Sequence, residues 1–277
     1  MERIIIPLIT PFDDGYGIDY ECMYRHVDRL YRLGIRGFFT PSTTGEIDKI
    51  SFGEVTEIID NVFGRLNGEY ELYIGLRGED PRELLNRFKV LDGSYEFDGY
   101  VIPPPSYSKY GQEELKNFYI YLAGGTDKPI IIYNIPSLTG NLIGPKTYID
   151  ILREVDNILA TKVTYNDSKY LVELLKSLNV EGFDLKVYVG SDPLILTNLS
   201  LGGYGVIPGI GNIYPEYYLG LIDAYLRGDF RQVINIYNRI IEVYVSITRD
   251  GVFQKNIKAM LGDLLPCIKP IMRPPYM

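Results

Sequence analysis

The sequence predicts an α/β protein of the (β/α)8, or TIM, barrel class with extra C-terminal helices. Three observations carry this. Short apolar runs alternate with longer amphipathic segments eight times over about 225 residues, close to the length such barrels occupy as one domain. No hairpin turn joins one run to the next, so the strands are parallel and the amphipathic segments are their crossovers. The competing doubly wound dinucleotide-binding sheet lacks its fingerprint: in GGYGVIPGIGN, Gly203-x-Gly205 is followed by Pro208 and Gly209-x-Gly211 by Tyr214, and the stretch comes late in the chain. A phosphate-binding P-loop is absent as well.

The elements follow in order. Residues 3–9 read as the first strand, and 20–33 as an amphipathic helix stopped by Gly34. Residues 37–40 are the second strand. Ser51 and Glu54 form the S-x-x-E capping box of a helix running toward Leu66. Residues 71–76 make the third strand, and Asp80-Pro81 opens a helix with proline at its first position. Strand 99–102 runs into Pro103-Pro104-Pro105, and 112–122 is its helix. Residues 129–133 form the fifth strand, followed by a helix over 145–155. The sixth strand is the stretch ILATKVTYND from Ile158 to Asp167, with a helix over 168–178. Residues 185–189 are the seventh strand, 193–201 a short helix, and 205–208 the glycine-flanked eighth strand. From Pro215 to about Leu265 the pattern is helical. The expected division is a barrel core over 1–214 and, over 215–277, the eighth barrel helix with a helical extension, together one structural unit.

Composition narrows the function classes. The chain has 277 residues, a net charge of −8, 46% hydrophobic and 23% charged residues. No basic block or stripe is present, which disfavours nucleic acid and anionic membranes as partners. No apolar run reaches the roughly 20 residues that span a bilayer. MERIIIPLITPF reads as a first strand, not a signal peptide. Cys22 and Cys267 lie far apart without metal-ligand spacing, so a reducing, cytoplasmic setting with buried thiols is expected. His26 is the single histidine and sits on the first helix; it reads as structural, because a histidine-based triad or metal site has nothing else to build on.

In a (β/α)8 barrel, chemistry gathers where strands end in loops. Thr43 and Thr44 (PSTTGE), Tyr107 (PPPSYSKYG), Tyr133 (IIIYNIPSLTG), Lys162 (ATKVTYND) and Asp192 (VGSDP) all lie late in strands or just after them. They are expected to converge on one mouth. Lys162 is the least ordinary of them. A lysine in a strand is more often an edge residue reaching solvent, but this strand otherwise reads as interior. Desolvation disfavours its ammonium form, and the neutral amine is a nucleophile toward carbonyls. Schiff-base formation is the expected reaction, with the iminium as electron sink. Tyr133 can relay the proton through a hydroxyl such as Thr43. Thr44 and the backbone N–H groups of the STTG turn offer donors to a 2-oxo acid carboxylate.

These stretches together resemble the dihydrodipicolinate synthase / N-acetylneuraminate lyase family: STTGE, YNIPSLTG, the lysine late in the sixth strand, GSD after the seventh, GGYGVIPGIGNIYPE, the opening IIIPLITPF and the closing RPP at 273–275. The resemblance covers essentially the whole chain. It implies metal-independent, cofactor-free Schiff-base chemistry on pyruvate or a pyruvate-derived 2-oxo acid. It makes Lys162 the covalent residue, Tyr133 the relay, Thr43 its hydroxyl partner and Thr44 the carboxylate binder. Tyr107 resembles the tyrosine that reaches into a neighbouring subunit's site, which implies a homotetramer of tight dimers. Gly190 and Ile207 match positions whose backbone lines the pyruvate pocket. Ser42 stands where the family usually has glycine, and Ala160-Thr161-Lys162-Val163 departs from its usual glycine, aliphatic, lysine, acidic order.

Within that resemblance, Leu138 replaces the arginine by which lysine-biosynthesis members hold a substrate carboxylate. Thr164 replaces their alanine, and Gly190–Asp192 supplies the G-x-D of sugar-acid aldolases. Pro193 departs from the acidic residue of sialic-acid lyases. Lys109 lies where some archaeal members carry an arginine for a phosphorylated substrate. The expected reaction is therefore cleavage of a 2-keto-3-deoxy sugar acid, of the 2-keto-3-deoxygluconate type, to pyruvate and an aldehyde. Dihydrodipicolinate synthase and a non-catalytic 2-oxo-acid-binding barrel are the alternatives.

Overall fold

A computed structural model describes residues 1–276. It contains eight parallel strands hydrogen-bonded in sequence order: β1 (Ile5–Pro7), β2 (Gly37–Thr40), β3 (Glu71–Gly75), β4 (Gly99–Ile102), β5 (Ile130–Asn134), β6 (Ile158–Val163), β7 (Lys186–Val189) and β8 (Gly205–Val206). The helices among the described residues are α1 (Tyr20–Arg32), α2 (Phe52–Asn61), α3 (Pro81–Ser94), α4 (Gln112–Ala123), α5 (Pro136–Thr139), α6 (Pro145–Leu152), α7 (Ser168–Glu181), α8 (Ile195–Ser200), α9 (Pro215–Leu226), α10 (Phe230–Thr248) and α11 (Phe253–Leu264). Strands in chain order with helical crossovers and two further helices at the C-terminus constitute the (β/α)8 barrel fold expected.

The chain divides into two compact units, one of Met1–Leu72 with the segment from Pro208 onward, the other of Tyr73–Ile207. In the first unit, the C-terminal helices and the first strands belong together, because Asn212 ties the segment after β8 to β1. Its amide donates to the Pro7 carbonyl (3.0 Å), and its side-chain oxygen accepts from the Ile9 N–H (3.2 Å). The amphipathic face of α1 buries Met23, His26, Val27 and Leu30. Ser51 and Glu54 complete the capping box of α2 as the sequence predicts. The long C-terminal helical pattern is cut at Arg227-Gly228-Asp229, where Gly228 turns left-handed (φ 74°) and Asp229 caps α10.

The same unit holds a finding that corrects the expectation for the cysteines. Cys22 on α1 and Cys267 form a disulfide, with Cα atoms 5.8 Å apart across 245 residues of sequence. Spacing along a chain cannot reveal such a pair, since it is the return of the C-terminal segment to α1 that brings the two together.

In the second unit, β4 to β7 carry near-continuous apolar runs, as strands covered on both faces do. Ile130, Ile131 and Ile132 are fully buried, and Phe88 of α3 stacks on Tyr100 of β4 at 4.2 Å. On β6, Thr161 satisfies its hydroxyl on the helix side, donating to the Ile132 carbonyl (3.0 Å) and sharing a hydrogen bond with the Tyr148 hydroxyl of α6 (2.9 Å). Strand alternation then turns Ala160 and Lys162 to the opposite face.

Candidate active site

Lys162 is 3% exposed. Its register partner on β5 is Tyr133, so the two side chains rise from adjacent strands at the same level. The Lys162 Nζ lies 4.3 Å from the centre of the Tyr133 ring and hydrogen-bonds with that residue's side chain. Burial lowers the amine's pKa from its ordinary value, and Tyr133, then Asp192, oppose that shift. The result is an interior amine with a larger uncharged fraction than a solvated lysine, held against a phenol. That is the arrangement a nucleophilic amine with a proton relay requires.

The neighbouring strand makes room for it. A side chain at Gly190, just after β7, would place its Cβ 2.7 Å from Lys162 Cε and 2.3 Å from Thr164 Oγ1. Glycine at this position is therefore a steric condition for both side chains to occupy their places. Thr164 extends the β6 ladder by donating its N–H to the Asn134 carbonyl (2.9 Å). Its hydroxyl oxygen is buried without a hydrogen-bond partner, an uncommon state that a bound polar group would relieve. Asp192 is buried at the start of a 3-10 turn, and Ser191 beside it hydrogen-bonds to Asn166. Ile207 is buried and donates its N–H to the Val189 carbonyl (2.9 Å). The structure thus brings together Lys162, Tyr133, Thr164 and Gly190. Tyr188, the β7 partner of Lys162 in the same row, was not singled out from sequence; its place two residues before Gly190 was the available signal.

Other expected residues stand elsewhere. Tyr107 is 91% exposed and Lys109 is also exposed, so neither packs against Lys162 within this chain. Leu138, on α5, is 62% exposed. Two residues that sequence reading missed fix these loops. Glu79 accepts hydrogen bonds from the N–H groups of Ser106 and Tyr107 and from the Ser106 hydroxyl. Asn141 donates to the Pro105 and Ser108 carbonyls (both 2.8 Å) and accepts from the Tyr110 N–H (2.9 Å). It thereby joins the loop after β4 to the one after β5. Nothing local in the sequence marks either residue, because their partners lie about thirty positions away.

The STTGE turn belongs to the first unit. Ser42 spends its hydroxyl on the turn itself: it donates to the Leu8 carbonyl (3.0 Å) and accepts from the Gly45 N–H (3.0 Å). Thr44 is buried and Thr43 half-buried. Among the described residues, no group of three or more His, Cys, Asp or Glu side chains is placed to hold a metal ion.

Comparison with known proteins gives the family. The model of the dihydrodipicolinate synthetase family matches residues 1–277. An uncharacterized DapA-like lyase of Pyrococcus furiosus is 33% identical over 278 residues, covering all of this chain and 91% of that protein. A 4-hydroxy-tetrahydrodipicolinate synthase of Methanococcus maripaludis is 31% identical over 243 residues, covering 88% of this chain and 82% of that one. The crystal structure of dihydrodipicolinate synthase from Aquifex aeolicus superposes with a TM-score of 0.91 at 28% identity, covering all of this chain and 92% of the other. Fold and site together define a pyruvate-dependent lyase of the class I aldolase type. The chain belongs to the dihydrodipicolinate synthetase family.

Proposed function

We propose that this enzyme cleaves a 2-keto-3-deoxy sugar acid of the 2-keto-3-deoxygluconate type, reversibly, to pyruvate and an aldehyde such as glyceraldehyde, through a Schiff base on Lys162. The observation that carries the covalent step is the buried Lys162 amine, with its lowered pKa, in hydrogen-bonding contact with Tyr133. The neutral amine adds to the C2 carbonyl and water leaves, giving an iminium. The C4 hydroxyl then gives up its proton, the C3–C4 bond breaks, and its electron pair passes into the iminium to form an enamine. The aldehyde departs, C3 takes up a proton, and hydrolysis returns pyruvate and the free amine. Tyr133 is the group positioned to carry the protons. The family pattern gives Thr43 the relay hydroxyl and Thr44 the carboxylate donor. It gives Tyr107 a place in a neighbouring subunit's site, within a homotetramer.

Two features support the sugar-acid substrate. The buried, unpartnered Thr164 hydroxyl suits a hydroxylated chain, with the Gly190 backbone beside it, and the family pattern adds Asp192. Leu138 offers no fork to a second carboxylate. The alternative, condensation of pyruvate with aspartate semialdehyde, is favoured by the name of the Methanococcus maripaludis relative.

Borohydride reduction in the presence of pyruvate is expected to leave a mass adduct on Lys162, lost in Lys162→Ala. Tyr133→Phe is expected to keep pyruvate binding while turnover drops by about a hundredfold or more. Failure to trap pyruvate on Lys162 removes the covalent mechanism. Turnover with aspartate semialdehyde in preference to a panel of hydroxyaldehydes replaces the first substrate reading by the second.

A further inference from the structure

Glu46 closes the STTGE turn in an unusual way. It adopts a left-handed backbone (φ 62°) without being glycine. Its side chain and that of Lys258 on α11 are both fully buried, and Lys258 Nζ lies 2.6 Å from Glu46 Oε1. The same ammonium donates to the Ile271 carbonyl (2.8 Å) and stands 4.3 Å over the Phe12 ring. The second carboxylate oxygen accepts from the Arg273 N–H (3.1 Å). The turn is held from the same direction at a second point, where Gln254 of α11 donates to the Thr43 carbonyl (3.2 Å). That carbonyl also accepts from the Glu46 N–H (3.2 Å).

Stability alone is a poor reason for this pair. Burying two charges carries a desolvation cost that their attraction must first offset, and well-packed apolar residues of equal volume often serve as well. The left-handed backbone adds a cost of its own. A charged pair has one property that an apolar pair lacks, a direction. Its hydrogen bonds are satisfied at one placement of Glu46, and Glu46 is two residues from Thr44 and three from Thr43.

We propose that Glu46, Lys258 and Gln254 are positioning residues: through them α11 and the C-terminal segment set where the Thr43 and Thr44 hydroxyls stand. This presupposes the Schiff-base function proposed above. The test uses the full-length enzyme and two readouts that do not depend on the aldehyde partner. One is the fraction of sites trapped by borohydride with pyruvate; the other is solvent deuterium exchange into the pyruvate methyl group, which reports enamine formation. Lys258→Met, Glu46→Gln and Gln254→Leu are each expected to lower the exchange kcat per trapped site by about tenfold and to raise the KM for pyruvate. In a Thr43→Val background, the same substitutions are expected to leave the already lowered kcat unchanged, because they act through that hydroxyl. Variants that lose thermal stability but keep wild-type kcat and KM per trapped site overturn the proposal, as does full additivity with Thr43→Val. Should Lys258→Met not fold, Gln254→Leu, which removes one hydrogen bond, decides by the same criteria. Absence of any pyruvate adduct in the wild-type enzyme is a separate result: it overturns the Schiff-base function and this role with it.

Discussion

Gly190 shows how much of the site's chemistry is a matter of space. Lys162 on β6 and Thr164 just after it share a face, and the strand beside them must offer no side chain where they extend. Gly190→Ala introduces a Cβ 2.7 Å from Lys162 Cε and 2.3 Å from Thr164 Oγ1. It is expected to cut the rate of borohydride trapping with pyruvate by about a hundredfold while the chain still folds, a result that mass spectrometry and circular dichroism check together. Lys162 itself was legible, because a charged residue in an otherwise interior strand breaks a local pattern. Glycine's function was legible only through the resemblance. The Glu46–Lys258 pair was not legible, since its partners are separated by 212 positions and neither residue breaks a pattern where it stands.

At the scale of elements, helix ends were readable because their chemistry is local. The Ser51/Glu54 box and the Asp80-Pro81 start are where the sequence predicts them. The four-residue α5 was missed, because a single turn within PSLTG has no periodicity to detect. Helix α1 carries a consequence that its amphipathic pattern did not announce. His26 is fully buried, its Nε2 lies 3.0 Å from Asn212 Oδ1, and its Nδ1 has no partner. Burial pushes its pKa down to about 4, against the stabilising hydrogen bond with Asn212. In the unfolded chain the imidazole titrates near 6.5, so between those values the unfolded state binds the extra proton. Stability from this group is complete above about pH 6.5 and is lost as the pH falls toward 4, a change of about 3 kcal/mol in all. Denaturant midpoints are expected to fall between pH 7 and pH 4.5, a window in which most carboxylates stay ionised. The only histidine in the chain makes the assignment clean, and His26→Gln is expected to flatten the profile.

At the scale of the whole molecule, the disulfide is the feature with the longest reach. It links α1 to the segment after α11 across 245 residues. Closing a loop of that size restricts the unfolded chain and is worth about 2–5 kcal/mol. Reduction, or Cys22→Ser with Cys267→Ser, is expected to lower the melting midpoint by about 5–15 °C. A midpoint unchanged by reductant in calorimetry would remove the bond from the stability of the native protein. The division into units has the same origin: residues before 73 pack with residues after 207, which no local boundary signal in the chain records.

The sequence by itself determined the strand–helix alternation, the parallel sheet, the helix caps and the strand carrying Lys162. Each of these is written in a period of two or 3.6 residues or in the chemistry of a single turn. Tertiary structure alone decided the Cys22–Cys267 bond, the Glu46–Lys258 pair, the Asn141 brace between two loops and the space at Gly190. These depend on which distant segments return to one place, and the hydrophobic pattern that drives folding specifies faces to be buried without naming the residues that will meet there.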